Sequence, residues 1–252
     1  MTQTEEIPIR VGEDSVLFSP EKREGNRRQV CLTEEEGRWN LTPWEGARRA
    51  EPTPEELCAA GVRLWQKGQR SNPIPLFCNG EPRLILCSLR EQRVTAVTAE
   101  VGRAEFVPRR IPLRFEVPLI DDPVTLPGET FRITALRTGD PYAVIFPETA
   151  GDCRLFSRAE EISRLHLFPQ GCEVVFAYLQ GETVLHLRPF HRDGSPLLRG
   201  RDVCAALAAA VATGKCLPER AVRIPMKEGE GRCVCKKDGR IFLTLPVFDG
   251  ST

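Results

Sequence analysis

The chain has 252 residues, 41% of them hydrophobic, with 35 lysines and arginines against 35 aspartates and glutamates. That is enough apolar material for one large core or two ordinary ones, and a zero net charge argues against nucleic acid or a membrane surface as partner, since both select a basic excess. The ten cysteines are scattered without a Cys-x-x-Cys pair, which points to buried thiols and no metal site. Residues 1–10 are too polar for a signal peptide and no apolar run reaches transmembrane length, so the expected setting is a reduced cytoplasm.

In chain order, residues 7–10, 15–19 and 28–33 read as short strands, with Gly12, Pro20 and Gly25 as turn signals between them. Residues 38–42 read as another strand. The first helix is expected over 53–68. Thr53 is its N-cap, Pro54 takes the first helical position, Glu56 completes a capping box and Gly68 closes it. Strands follow at 75–78, 83–89 and 93–100, the first two joined by the Asn79-Gly80 turn. Residues 109–118, rich in proline, bridge to the second half. There, strands are expected at 129–136 and 142–146, a short helix at 158–165, and a hairpin of 173–179 with 183–189 around Gln180-Gly181-Glu182. Strands at 221–225, 230–236 and 240–245 close the chain. Cys233 and Cys235 alternate along one of them and share a face.

Before those last strands comes Leu197-Leu198-Arg199-Gly200-Arg201-Asp202-Val203-Cys204, running into an alanine-rich stretch that ends at Gly214. Alanine is the best helix former, and this helix is apolar on every side, so it belongs inside a core. Gly200 reads as its N-cap and offers no side-chain oxygen. The first amides, flanked by Arg199 and Arg201, are therefore available to an anion. His166, His186 and His191 have no carboxylate or cysteine at metal spacing and take ordinary polar roles. Arg48-Arg49 reads as surface.

The two helices repeat one pattern. Glu56-Leu57-Cys58-Ala59-Ala60 mirrors Asp202-Val203-Cys204-Ala205-Ala206, and Cys58 to Cys204 and Gly68 to Gly214 span the same 146 residues. Such a repeat predicts two similar domains facing each other.

Several stretches resemble diaminopimelate epimerase, a cofactor-independent amino-acid epimerase. Ala50–Glu56 sits where that family has A-E-M-C-G-N-G. Arg103–Pro108 with Ile111-Pro112-Leu113 is similar to its G-E-P-x-F-x-P…I-P-L. Thr138–Val144 is similar to G-N-P-H-A-V, Leu167–Val174 to L-F-P-x-G-x-N-V, and Arg199–Ala210 to C-G-T-G-A-C-A-A-A-V-A-A. The resemblance runs nearly end to end. It implies an α+β fold of two pseudo-symmetric domains, each a strongly curved mixed sheet wrapped around one long central helix. The domains would be 1–116, completed by a returning strand at about 246–252 (247–249 as its core), and 117–245. It implies no cofactor and a place in amino-acid metabolism, lysine biosynthesis in particular.

The family's chemistry is where the residues depart. Epimerising an α-carbon needs a base on one face and an acid on the other, and the resembled enzymes place one cysteine at each helix start. Arg199 stands at the second of these positions, and arginine cannot act as a base. At the first, two registers compete. One keeps a catalytic cysteine at Cys58; the other, gapless, puts Thr53 there, as a cap or a replacement acid. The family's G-x-G-N-D-F asparagine near the start has no clear counterpart in residues 11–17. Asp140 replaces an asparagine, Tyr142 a histidine, and Phe190 and His191 an E-R pair. The leading expectation is a catalytically degenerate relative that binds a small anion, or a protein partner, in an interdomain cleft. The ligand-binding candidates are Arg199, Gly200, Arg201, Asp202, Asp140, Tyr142 and His191. The competing expectation is an active isomerase with Cys58 as single base and Asp202 or His191 as acid. A third is a subunit that pairs with a second copy or an active paralogue.

Overall fold

The computed structural model describes residues 8–19, 27–148 and 156–248. Expectations at Ile7, Pro20, Gly25, Cys153 and Asp249 lie outside them. The chain is mostly mixed β-sheet with few helices. The strands are β1 (Ile9–Val11), β2 (Asp14–Val16), β3 (Phe18–Ser19), β4 (Arg28–Glu35), β5 (Arg38–Glu45), β6 (Arg48–Arg49), β7 (Ile74–Cys78), β8 (Glu81–Arg90), β9 (Arg93–Arg103), β10 (Asp122–Leu126), β11 (Glu129–Thr138), β12 (Asp140–Ile145), β13 (Glu173–Gln180), β14 (Val184–Phe190), β15 (Ala221–Pro225), β16 (Glu230–Cys235) and β17 (Arg240–Phe248). The helices are α1 (Pro54–Gln66), α2 (Ala159–Ser163) and α3 (Gly200–Ala212).

The residues group into two compact units. One draws on Met1–Gly102, Met226–Gly231 and Phe242–Thr252, the other on Arg103–Pro225 and Arg232–Ile241. In the first unit β4 and β5 pair antiparallel, β5 and β7 parallel, and β7, β8 and β9 antiparallel in turn. The parallel step is made possible by α1, which carries the chain across between β5 and β7. The Asn79-Gly80 turn has both residues at positive φ, 52° and 87°, as a tight hairpin requires. α1 packs on β1, β2 and β8, burying Leu57, Cys58, Ala59, Ala60 and Leu64 completely. β17 ends in this unit, where Val247 pairs with Val11 and Phe248 with Arg10.

In the second unit β13 and β14 pair antiparallel and β14 and β15 parallel, with α3 as the crossover. α3 packs on β11, β12, β13 and β14. Every residue from Val203 to Ala210 is buried, as an all-apolar helix must be. Five further strands follow the helix spacing. Moved by 146 residues, β4, β5, β7, β8 and β9 fall on β13, β14, β15, β16 and β17 to within three residues at each end.

The structure differs locally from the sequence reading. β10, which contains Pro123, was not among the expected strands. It pairs antiparallel with β11, Pro123 standing opposite Arg132. The Arg48-Arg49 pair forms β6, and Arg49 stacks on the Trp44 ring 5.6 Å away. The N-cap of α3 is Arg199, with extended backbone, and Gly200 is the first helical residue. This corrects the expectation of Gly200 as cap.

Candidate functional site

The N-terminus of α3 gathers the residues singled out in the second half of the sequence. Asp202 is the third helical residue and has no exposed surface. Its Oδ2 reaches back to accept from the Arg199 amide at 2.8 Å. Its Oδ1 accepts from the Tyr142 hydroxyl at 3.0 Å. His191 Nε2 lies 3.0 Å from both carboxylate oxygens, and His191 Nδ1 lies 3.0 Å from the Ser195 carbonyl. Tyr142 and His191 are each 1% exposed. A carboxylate at a helix N-terminus is favoured by the helix dipole, and a buried one requires partners of this kind.

The flanking arginines are paired. The Arg199 guanidinium donates to the Asp193 carboxylate, and Arg201 Nη1 donates to Asp140 Oδ2 at 2.6 Å. Arg201 also lies flat on Gly139, whose φ is +88° and where a Cβ would come within 2.5 Å of the guanidinium carbon. Only glycine satisfies both the backbone angle and the close approach. Thr138 Oγ1 donates to the Arg201 carbonyl at 3.2 Å. The sequence reading left these amides and arginines available to an anion. In the structure the Asp202 carboxylate takes the amide of the N-cap Arg199, and the two arginines pair with Asp193 and Asp140.

The protonation states follow the packing. Burial first, then the Asp202 and Asp140 carboxylates, push the Tyr142 phenol well above its ordinary value, so it serves as a donor. Burial pulls the His191 imidazole down, but the Asp202 carboxylate and the Ser195 carbonyl outweigh it and the net shift is upward. Burial raises the Glu173 carboxyl, against the opposing bond from the Arg192 amide. The Ser195 amide, then the Arg199 guanidinium, hold Asp193 below its ordinary value.

The N-terminus of α1 follows the same plan. Thr53 is the N-cap and Pro54 the first helical residue. Thr53 Oγ1 accepts from the Glu56 amide at 3.2 Å, and the Thr53 amide donates to Glu56 Oε2 at 2.9 Å. This is the reciprocal capping box expected from the sequence. Glu56 and Glu55 are buried, 4% and 5% exposed. Arg28 grips Glu56 with two nitrogens, Nε at 2.5 Å and Nη2 at 2.9 Å, and donates also to the Glu51 carbonyl. Cys58 is the fifth helical residue, one turn beyond the cap, fully buried, with Sγ on the Val97 carbonyl at 3.4 Å.

Of the candidates in the second half, Arg199, Gly200, Arg201, Asp202, Asp140, Tyr142 and His191 share one neighbourhood. Cys58 and Thr53 belong to the other helix and stand a turn apart on it. The sequence reading missed Asp193, which pairs with Arg199, and Arg28, which pairs with Glu56. It also passed over Glu173, although this residue stands at the asparagine of the quoted L-F-P-x-G-x-N-V stretch. Its Oε2 takes the Arg192 amide at 3.0 Å. Among the described residues no cluster of His, Cys, Asp and Glu could hold a metal ion, and no helix is long and apolar enough to cross a membrane.

Solved structures place this fold. A hydroxyproline epimerase from Agrobacterium vitis, described with bound trans-4-hydroxy-L-proline, superposes with a TM-score of 0.58 at 12% identity, covering 87% of this chain and 71% of that one. A PhzF-family phenazine biosynthesis protein from Bacillus anthracis gives 0.55 at 10% identity, with 87% and 80% covered. The chain therefore has the fold shared by this epimerase and this PhzF-family protein. No family model matches it. Sequence relatives are more specific. The diaminopimelate epimerase of Synechococcus sp. strain JA-3-3Ab is 30% identical over 259 residues, covering 96% of this chain and 84% of the relative. That of Leptospira biflexa is 27% identical over 215 residues, with 80% and 76% covered. The chain belongs to the diaminopimelate epimerase family.

Proposed function

We propose that this family member keeps the epimerase scaffold without two-base epimerisation, and acts as a binding subunit whose partner is a protein. One observation carries the reading. At both central helix starts, where the resembled enzymes present a thiol and receive a substrate carboxylate, this chain presents its own carboxylate. Glu56 closes α1 and Asp202 closes α3. The residues at the two thiol positions support it. Arg199 stays protonated and cannot abstract a proton. The Thr53 hydroxyl is engaged by the Glu56 amide. Four paired charges around α3 leave little driving force for a small external anion, which favours the partner-binding half of the expectation. The two-domain division at residues 116 and 117, with curved sheets wrapped on α1 and α3, and a place beside lysine biosynthesis belong to the same reading.

The competing isomerase would need Cys58 as its base. With Cys58 at the fifth helical position and completely buried, α1 would have to unwind from Pro54 to Leu57 to present it. The test is exchange of α-hydrogens in deuterium oxide over a panel of amino acids including diaminopimelate, followed by NMR, with the Cys58→Ala variant in parallel. The expected result is no exchange in either protein. Exchange that vanishes in Cys58→Ala establishes a one-thiol isomerase and overturns the proposal.

A further inference from the structure

The side chains on Asp202 raise a question that the loss of thiols does not answer: where the proton of His191 sits. His191 faces two groups that only accept. Nδ1 points at a backbone carbonyl, Ser195 O, and Nε2 at the two oxygens of Asp202, each at 3.0 Å. A neutral imidazole has one N–H and one lone pair. Placed here, it would turn that lone pair against an oxygen in a site sealed from water. Asp202 is itself already accepting, from the Arg199 amide and the Tyr142 hydroxyl, so its oxygens act as a carboxylate. Only an imidazolium satisfies all of these contacts.

The same bonds tie the loop before α3 to the helix. The Ser195 carbonyl takes His191 Nδ1, the Gly194 amide donates to the His191 carbonyl at 2.9 Å, and the Ser195 amide donates to Asp193 Oδ1 at 3.0 Å. Asp193 in turn takes the Arg199 guanidinium. Charged groups surround His191. Asp202 on α3 stands opposite the ring, Tyr142 on β12 lies behind Asp202, Glu173 on β13 and Asp193 in the loop add negative charge, and Arg199 adds positive charge. Asp202 makes the direct contact.

We infer that His191 and Asp202 form a proton-dependent latch: the imidazolium clamps the Asp202 carboxylate on the Arg199 amide and keeps loop 191–199 and the start of α3 closed, and loss of that proton releases both. The inference concerns protonation and loop order, and holds or fails whatever becomes of catalysis.

The test is a pH series on the whole chain labelled with nitrogen-15. Long-range proton–nitrogen correlation reads the two ring nitrogens of His191, and amide hydrogen exchange reads Arg199. Both ring nitrogens are expected to carry protons at pH 7, with a midpoint above the ordinary value of about 6.5. Protection of the Arg199 amide, corrected for the intrinsic pH dependence of exchange, should fall with the same midpoint. In Asp202→Asn the His191 midpoint should drop below the ordinary value, because burial is then less opposed. A neutral His191 at pH 7 in the unmodified chain overturns the inference. So does a raised midpoint without a matching loss of Arg199 protection. Both readings come from the unmodified protein, so the test stands even where the variant does not fold.

Discussion

Glu56 and Asp202 hold the same post in two helices: each is the third helical residue, and each carboxylate returns to the amide of its own N-cap, Thr53 at 2.9 Å and Arg199 at 2.8 Å. What balances the charge differs. Glu56 is held by Arg28, a partner whose side chain is 32% exposed. Asp202 is held by His191, and both side chains are fully buried.

That difference sets unequal costs for the same neutralising change. Removing one member of a buried ion pair strands the other, at about 3–5 kcal/mol. In Asp202→Asn the buried His191 escapes a stranded charge only by shedding its proton, which leaves a ring lone pair against an oxygen acceptor, so the loss should lie at the lower end of that range, about 3 kcal/mol. In Glu56→Gln the stranded Arg28 turns to water, and the loss should be about 1–2 kcal/mol, the size of a lost cap and a charge-assisted bond. Urea unfolding of the two variants checks this. Equal losses would mean that His191 and Asp202 are not an ion pair.

The pH dependence of stability follows from the direction of the His191 shift. Its value in the folded chain is raised. The folded state therefore holds the proton more tightly than the unfolded one. The stabilisation is fully present below the unfolded value of about 6.5, and is lost as pH rises through the folded value. Thermal midpoints should fall as pH rises beyond about 6.5. The fall should shrink in His191→Gln, which removes the titrating group. A fall of equal size in that variant would assign it to another residue.

The capping box on α1 was legible because every residue in it, Thr53 to Glu56, is local to four positions, and capping is local chemistry. The burial of α3 was legible from composition alone. The grouping of Asp140, Tyr142, His191 and Asp202 was reached through the family resemblance, but their mutual bonds were not. Tyr142 and Asp202 are 60 residues apart, and nothing in either segment announces that a carboxylate would turn inward to cap its own helix. Asp193 and Arg28 were invisible for the same reason. A charged residue in a loop or at a strand end reads as solvated until its partner arrives from elsewhere in the chain.

The cysteines should be chemically silent in the folded protein. The nine within the described residues are all buried and unpaired by disulfides. Burial pushes the Cys78 thiol up to about 12 and the Cys87 thiol up to about 11. The thiolate is the reactive form, so these sites should resist alkylation at pH 8 and react only after unfolding in urea. Mass-spectrometric mapping of labelled peptides decides it. Rapid labelling of Cys58 in the folded state would show α1 opening at its start and would revive the one-thiol isomerase.

Gly61 is where α1 comes close to the side chains of Ile85 and Val97. It lies in the middle of the helix, where alanine is favoured over glycine by about 1 kcal/mol. On propensity alone Gly61→Ala would stabilise. The space argues otherwise. A Cβ at Gly61 would come within 2.6 Å of Ile85 Cγ2 and 3.1 Å of Val97 Cγ1, both on strands under the helix. Ile85 and Val97 have no exposed surface into which to move. Overpacking a closed core costs about 1–3 kcal/mol, which exceeds the helix gain over most of its range. Gly61→Ala should therefore destabilise by about 1 kcal/mol, and Gly61→Val, with two more methyl groups and a β-branch, by clearly more. Denaturant midpoints at unchanged slope measure both. A stabilised Gly61→Ala would mean that α1 can lift off β8 and β9 at little cost.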